Sequence, residues 1–234
     1  MILAAGLGTR LRPLTDKIPK PMLPIGNKPL LEYQLRLLKK FGVKDCAMNL
    51  YCLPEMIMEY FGDGKKFGMT IKYSKEAELM GTAGALKKIS EFFDQPFFVF
   101  YGDNLTNINL DNLAKFHRKK GGLVTIALYY EEHPESKGIV EMDSDARIVS
   151  FKEKPKSEEI TTNWANAGIY LCESEVIKYI PEGKFFDFGH DLFPKLLEDN
   201  QSLYGYKMTE FLLDIGTLET YRLAQGKVDE LGFS

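Results

Sequence analysis

The sequence predicts an α/β protein whose mostly parallel sheet is covered by helices on both faces. Three observations lead there. Apolar runs of strand length alternate with segments of helical period through the first half of the chain. The strand candidates "MILAA", "CAMNLY" and "PFFVFYGDN" are continuous apolar runs, as expected of strands buried on both faces. Polar turns or a glycine-rich loop follow Ala5, Tyr101 and Leu213, and open α/β sheets gather ligands at the carboxyl ends of their strands.

The elements follow in order. Residues 1–5 form a short buried strand. Across residues 29–41, Leu30, Tyr33, Leu37 and Phe41 recur every three to four positions, the spacing of one helix face. Residues 46–51 are a strand. Pro54 opens a short helix to residue 61, because its fixed φ suits a first turn. Residues 69–74 form a strand, and residues 82–92 a helix with Leu86, Ile89 and Phe93 to one side. The strand at 96–104 ends in a polar turn. A helix at 109–119 turns Leu110, Leu113 and Phe116 inward, and a strand follows at 123–130. The second half begins with a hairpin over residues 138–155, turning at "DSDAR". Strands at 166–172, 202–208 and 210–216 and helices at 191–198 and 217–231 complete the chain. There is no internal repeat, low-complexity segment or linker, so residues 1–234 read as one domain.

Composition narrows the partners. The chain has 234 residues, 44% hydrophobic and 27% charged, with a formal net charge of −3. That is ordinary for a soluble globular protein and long enough for a sizeable core. No polybasic stripe is present, which argues against a nucleic-acid partner. No apolar stretch approaches the roughly 20 residues of a membrane span, and the apolar run at Met1 is too short for a signal peptide. Cys46, Cys52 and Cys172 match no metal spacing and read as free buried thiols in a reducing compartment. A cytoplasmic protein is the expectation.

The chemistry concentrates in "LAAGLGTRLRPLTDKIPKPMLPIGNKPLL". Gly6 and Gly8 let the backbone turn sharply and aim amide N–H groups at one spot, a nest for phosphate oxygens. Arg10 offers a planar fork and Lys20 a compact charge. The same residues also fit a plain glycine turn with solvated cations. Two other phosphate motifs do not fit. A P-loop would end in G-K-[ST], and a Rossmann fingerprint would carry a third glycine where Leu11 stands.

At this point the segment resembles the signature of the sugar-1-phosphate nucleotidylyltransferases, G-x-G-T-R-x-x-P-x-T followed by P-K-P. Gly6, Gly8, Thr9, Arg10, Pro13, Thr15, Pro19, Lys20 and Pro21 match it. The resemblance covers nearly the whole chain, since later motifs come in the family's order. It implies a single-domain three-layer α/β/α sandwich on a Rossmann-like, mostly parallel (mixed) sheet. It divides the chain into a nucleotide half, about 1–130, and a sugar-phosphate half, about 131–234. It also implies a nucleoside triphosphate and a sugar 1-phosphate as substrates and Mg2+ as cofactor, with a homodimer as the base-rate assembly.

Residue by residue, the resemblance assigns the nucleotide to Leu3, Ala4, Gly6, Gly8, Thr9, Arg10, Glu76, Gly81 and Thr82. Glu76, in "EAELMGTAGAL", matches the base-facing position. A carboxylate only accepts hydrogen bonds, which suits the two adjacent donors of guanine better than uracil or thymine. In the same loop Gly81 and Gly84 would allow a flat ring to approach closely, although a helix start with packing glycines fits the pattern too. Asp103 of "FFVFYGDN" and Asp214 of "FLLDIGT" would hold the metal, each at a strand end. Gly138, Glu153, Lys154, Asn166 and Gly168, in "KGIVEMD", "FKEKP" and "NAGIYL", would bind the sugar phosphate. Arg10, Lys20 and Asp103 would carry catalysis. His117, His133 and His190 fall outside the motifs and receive no role.

Two departures from the family pattern are visible. The first strand is short, as if the start were clipped. The chain also ends soon after its last helix, so the β-helix or acyltransferase extensions of the long forms are not expected. A short chain agrees with guanylyl enzymes of mannose or heptose 1-phosphate.

Overall fold

The computed structural model describes residues 1–230. They form two compact units. The first comprises Met1–Leu79, Tyr101–Ile108 and the segment from Glu210 onward; the second comprises Met80–Phe100 and Asn109–Thr209. Residues 80–100 and 109–130 belong to the second unit and residues 210–230 to the first.

The first unit holds a parallel run of strands, Ile2–Leu3, Asp45–Leu50 and Thr70–Lys75. Their registers, Leu3 with Asn49 and Asn49 with Ser74, bring the carboxyl ends level. The helix Leu30–Lys40 forms where the sequence periodicity placed it. Glu32 lies in its first turn and Lys39 and Lys40 in its last, each favourable to the helix dipole. Leu30 and Tyr33 from that helix pack with Ile25, Leu105, Ile215, Ala224 and Val228 in one cluster. Ala224 and Val228 come from the last helix, Leu218–Glu230; Leu231, included in the expected helix, lies outside the described residues.

The second unit is mixed in direction. The long strand Trp164–Cys172 runs antiparallel to Phe97–Tyr101, Val124–Tyr130 and Gly138–Met142, and Leu203–Lys207 runs parallel to Val124–Tyr130. The expected hairpin forms between Gly138–Met142 and Ile148–Glu153. The helix Leu110–Lys120 starts under an Asn109 side-chain cap and stops at Gly121, whose φ of +64° ends the turn. Tyr170, Phe188 and Phe193 pack tilted or edge-to-face with centroids 5.0–5.6 Å apart, and Phe151 adds to Phe193 at 5.1 Å. This aromatic knot anchors the segment expected as a helix at 191–198. It is instead a π-turn over Phe188–Leu192 followed by an α-helix over Phe193–Glu198.

Cys46 and Cys172 are buried and Cys52 is half-buried; all three are free. Burial pushes the Cys46 thiol up to about 11 and the Cys172 thiol higher still, which disfavours the thiolate at both. Among the described residues no helix is long and apolar enough to cross a membrane.

Candidate active site

In the first unit the site begins where the parallel strands end. The Ala4 N–H donates to Asn49 Oδ1 at 2.9 Å, and Asn49 Nδ2 donates to Glu76 Oε1 at 2.8 Å. Asn49 and Glu76 are both buried. Asn49 is thus a relay that fixes the Glu76 carboxylate. Sequence reading missed it, although a lone Asn in an apolar strand was the available signal.

The glycine loop then folds on itself. Gly8 sits in the left-handed region at φ +63°, and the Thr15 hydroxyl donates to its carbonyl at 2.9 Å. A Cβ at Gly8 would lie 3.0 Å from Thr15 Cγ2 and 3.1 Å from Lys20 Cβ. Conformation and crowding both demand glycine there. Gly6 needs no positive φ, and a Cβ there would meet no protein atom within 4 Å. Thr9 and Arg10 are exposed on the single 3-10 turn Thr9–Leu11.

Asp103 is delivered by a tight approach. The Gly102 N–H donates to Leu3 O at 2.9 Å, and a Cβ on Gly102 would stand 2.7 Å from that oxygen. Asp103 pairs with Lys20 through a short charge-assisted bond. The Lys20 side chain is 10% exposed and that of Asp103 27%. Asp214 arrives on the adjoining strand. Leu212–Asp214 runs antiparallel to Asn104–Thr106, with Asp214 opposite Asn104, and the Ile215 N–H donates to Asp103 O at 3.0 Å. A Cβ at Gly216 would lie 3.1 Å from Arg10 Nη2 and 3.3 Å from Asp214 Oδ1, so Arg10 and Asp214 flank that glycine. Two acids and two bases from three distant parts of the sequence therefore reach adjoining backbone: Lys20 pairs with Asp103, and Arg10 and Asp214 flank Gly216.

In the second unit Glu153 ends its strand opposite Gly138. Its Oε2 lies 2.6 Å from where a Cβ on Gly138 would be, and 2.5 Å from that of Gly189. Two bare glycines thus form a slot for the carboxylate. Burial is the main reason its carboxyl sits above the ordinary range; Asp187 adds to the rise, while His190, Lys154 and Lys137 oppose it. His190 therefore bears on a motif residue, which corrects the reading that placed it outside them. Its neighbours explain how. Asp187 Oδ1 caps the π-turn by accepting from the Gly189 and His190 N–H groups. Lys154 is exposed and holds φ +48°, a strained value for a lysine.

The remaining expected residues are engaged in local structure. Asn166 accepts from the Gly168 N–H and donates to the Tyr170 hydroxyl, both at 2.9 Å. Gly168, at φ +66°, lies where the strand's register shifts. A Cβ at Gly81 would be 2.5 Å from Phe186 O, and one at Gly84 2.7 Å from Lys184 O, so the close approach at both is made by the chain's own backbone. Thr82 donates to Asp187 Oδ2 at 2.7 Å and accepts from the Phe188 N–H at 2.8 Å. His117 is buried between Thr125 and Glu173, a structural setting.

The nucleotidyl transferase family model matches residues 1–230. The chain belongs to that family. Among curated relatives, the UTP–glucose-1-phosphate uridylyltransferase of Synechocystis is 43% identical, over 94% of this chain and 61% of its own length. The mannose-1-phosphate guanylyltransferase of Mycobacterium tuberculosis is 35% identical, over 94% and 62%. The chain thus spans about three fifths of the length of these relatives. Of solved structures, HddC from Yersinia pseudotuberculosis complexed with GMP-PN aligns with a TM-score of 0.81 at 27% identity, covering 97% of both chains. A Bacillus anthracis structure reaches a TM-score of 0.87 at 24% identity, covering 96% of this chain and 92% of that one, which establishes the shared fold.

Proposed function

We propose that this chain transfers a nucleotidyl group from a nucleoside triphosphate to a sugar 1-phosphate, releasing pyrophosphate. The observation that carries this reading is the arrival of Arg10, Lys20, Asp103 and Asp214 on adjoining backbone beside the folded glycine loop. Names of relatives that act on sugar 1-phosphates support it.

In the reaction an oxygen of the sugar phosphate forms a bond to the α-phosphorus while the bond to the departing pyrophosphate breaks. The attacking group is already an anion at neutral pH, so no general base is required. The obstacle is repulsion between two polyanions. Arg10 and the amides around Gly8 would hold the β- and γ-phosphates. Lys20 would exchange Asp103 for an oxygen of the phosphoryl group in transfer. In the second unit Lys154 would attract the attacking phosphate and Glu153 would accept from sugar hydroxyls. Alignment and charge neutralisation then lower the barrier.

Asp103 and Asp214 fit a magnesium ion. Mg2+ is usually held by one or two carboxylates, with substrate phosphates and water completing its shell. Among the described residues no group of three or more His, Cys, Asp or Glu exists that would suggest an all-protein cage. When bound, the ion would absorb phosphate charge.

GTP is the favoured nucleotide, on the acceptor-only chemistry of Glu76, and a mannose- or heptose-type sugar goes with it by the resemblance to guanylyl enzymes. The 43% identity to the uridylyltransferase supports UTP with glucose 1-phosphate as a second reading. Pyrophosphate release from GTP, UTP, dTTP and CTP, each with mannose, heptose and glucose 1-phosphates and with Mg2+ or EDTA, decides between them. The fastest release is expected with GTP and a mannose-type acceptor, and none with EDTA. Fastest release with UTP and glucose 1-phosphate would establish the second reading, and no release with any pair would sink both.

A further inference from the structure

We infer that Gln34 is a positioning residue whose side-chain amide staples the turn that carries Asp103. The inference rests on the proposed role of Asp103. Gln34 lies on the buried face of Leu30–Lys40 and is 2% exposed. A buried amide is costly unless its hydrogen bonds return the cost. Gln34 Nε2 donates to Tyr101 O at 2.8 Å and to Asn104 O at 2.7 Å. These carbonyls stand immediately before and after Gly102–Asp103, so one NH2 group spans the turn with both its protons.

The orientation of the amide follows from that geometry, because turning it over would set Oε1 against two carbonyl oxygens. Oε1 itself is buried and accepts no hydrogen bond among the described residues. An apolar residue of similar length would avoid that penalty. The packing of the helix therefore does not by itself explain a glutamine, whereas the two bonds to the turn do. Backbone bonds also hold this turn, Gly102 N–H to Leu3 O and Ile215 N–H to Asp103 O, and Lys20 holds the Asp103 carboxylate. Gln34 reaches both of its ends from one side-chain amide. Glu32, on the same helix, is committed elsewhere, to Arg36 and Tyr60.

Gln34→Met keeps the length and removes the donors. Hydrogen exchange at the amides of residues 102–104, measured without substrate or metal, should quicken about tenfold or more, while exchange along Leu30–Lys40 stays put. Turnover should fall about 10- to 100-fold, the scale of a misplaced catalytic group, with KM for the sugar phosphate unchanged. Gln34→Glu keeps the shape and, while protonated, one donor, so it should recover part of kcat as pH falls. Unchanged exchange at 102–104 would overturn the inference. So would a lowered melting temperature with exchange raised uniformly and kcat intact, the signature of a purely structural residue. Asp103→Asn is the control: full turnover there would remove the catalytic role of Asp103, leaving exchange to decide the staple on its own.

Discussion

Lys20 and Asp103 are 83 positions apart in sequence and share one short charge-assisted bond. The sequence marked each as a candidate, but not their pairing, because nothing in a glycine loop announces which strand end will face it. The pairing makes their substitutions unequal. Lys20→Ala should cut kcat about 10²-fold, the loss seen when one oxyanion donor is deleted. An unchanged kcat with a raised KM would reduce Lys20 to a binding group. Asp103→Asn should lose most turnover and also strip the buried ammonium of its anion. Because the Asp103 side chain is 27% exposed, the stability cost should be about 1–2 kcal/mol, below the roughly 3–5 kcal/mol of a fully buried pair. Chemical denaturation reads this directly. Glu153 behaves oppositely. Its folded carboxyl binds a proton more tightly than the unfolded one, so folding stability declines as pH rises from the ordinary value of 4.5 through the raised one. Glu153→Gln should therefore be more stable than the parent at pH 7, with the advantage vanishing below about pH 4. It should also raise KM for the sugar phosphate. A variant less stable at neutral pH would contradict the assigned cause.

At the scale of elements, the π-turn Phe188–Leu192 is the informative one. It sets Gly189 against Glu153, and its geometry is fixed by the Asp187 cap and by Phe188 and Phe193 in the aromatic knot. Gly189→Ala would place a methyl 2.5 Å from Glu153 Oε2 and push the carboxylate out of its slot. KM for the sugar phosphate should rise several-fold while KM for the nucleotide stays constant; equal effects on both would contradict a role confined to Glu153. The sequence showed a helix here but started it at 191, because a π-turn has no apolar period of its own to read. Long periodic elements were readable: Leu30–Lys40, Pro54–Phe61, Leu110–Lys120 and the strands at Asp45–Leu50 and Val124–Tyr130 lie within a residue or two of expectation. Pairs such as Pro24–Ile25 with Lys28–Pro29, or Asn104–Thr106, were invisible, since two or three residues display no alternation. The glycines of the 81–84 loop illustrate a different limit. Their need for space was legible, but the atoms filling that space, Phe186 O and Lys184 O, lie about a hundred residues away.

At the scale of the whole molecule, the first unit is assembled from three separate stretches of chain. Its closing segment is the helix Leu218–Glu230, which adds Ala224 and Val228 to the apolar cluster. From the same helix, Tyr221 and Gln225 both donate to Pro24 O, and Gln225 also accepts from the Gly26 N–H. Truncation after Thr217 should destabilise the first unit by at least about 3 kcal/mol, one buried Val and several hydrogen bonds being lost. Proteolysis should then cut within residues 1–79 before it cuts within 109–209; the reverse order would contradict this assignment.

That discontinuity also bears on biosynthesis. A ribosome finishes residues 109–209 before it supplies the segment that completes the body containing residue 1. The strands Ile2–Leu3, Asp45–Leu50 and Thr70–Lys75 must wait, unsealed, for the translation of Leu218–Glu230.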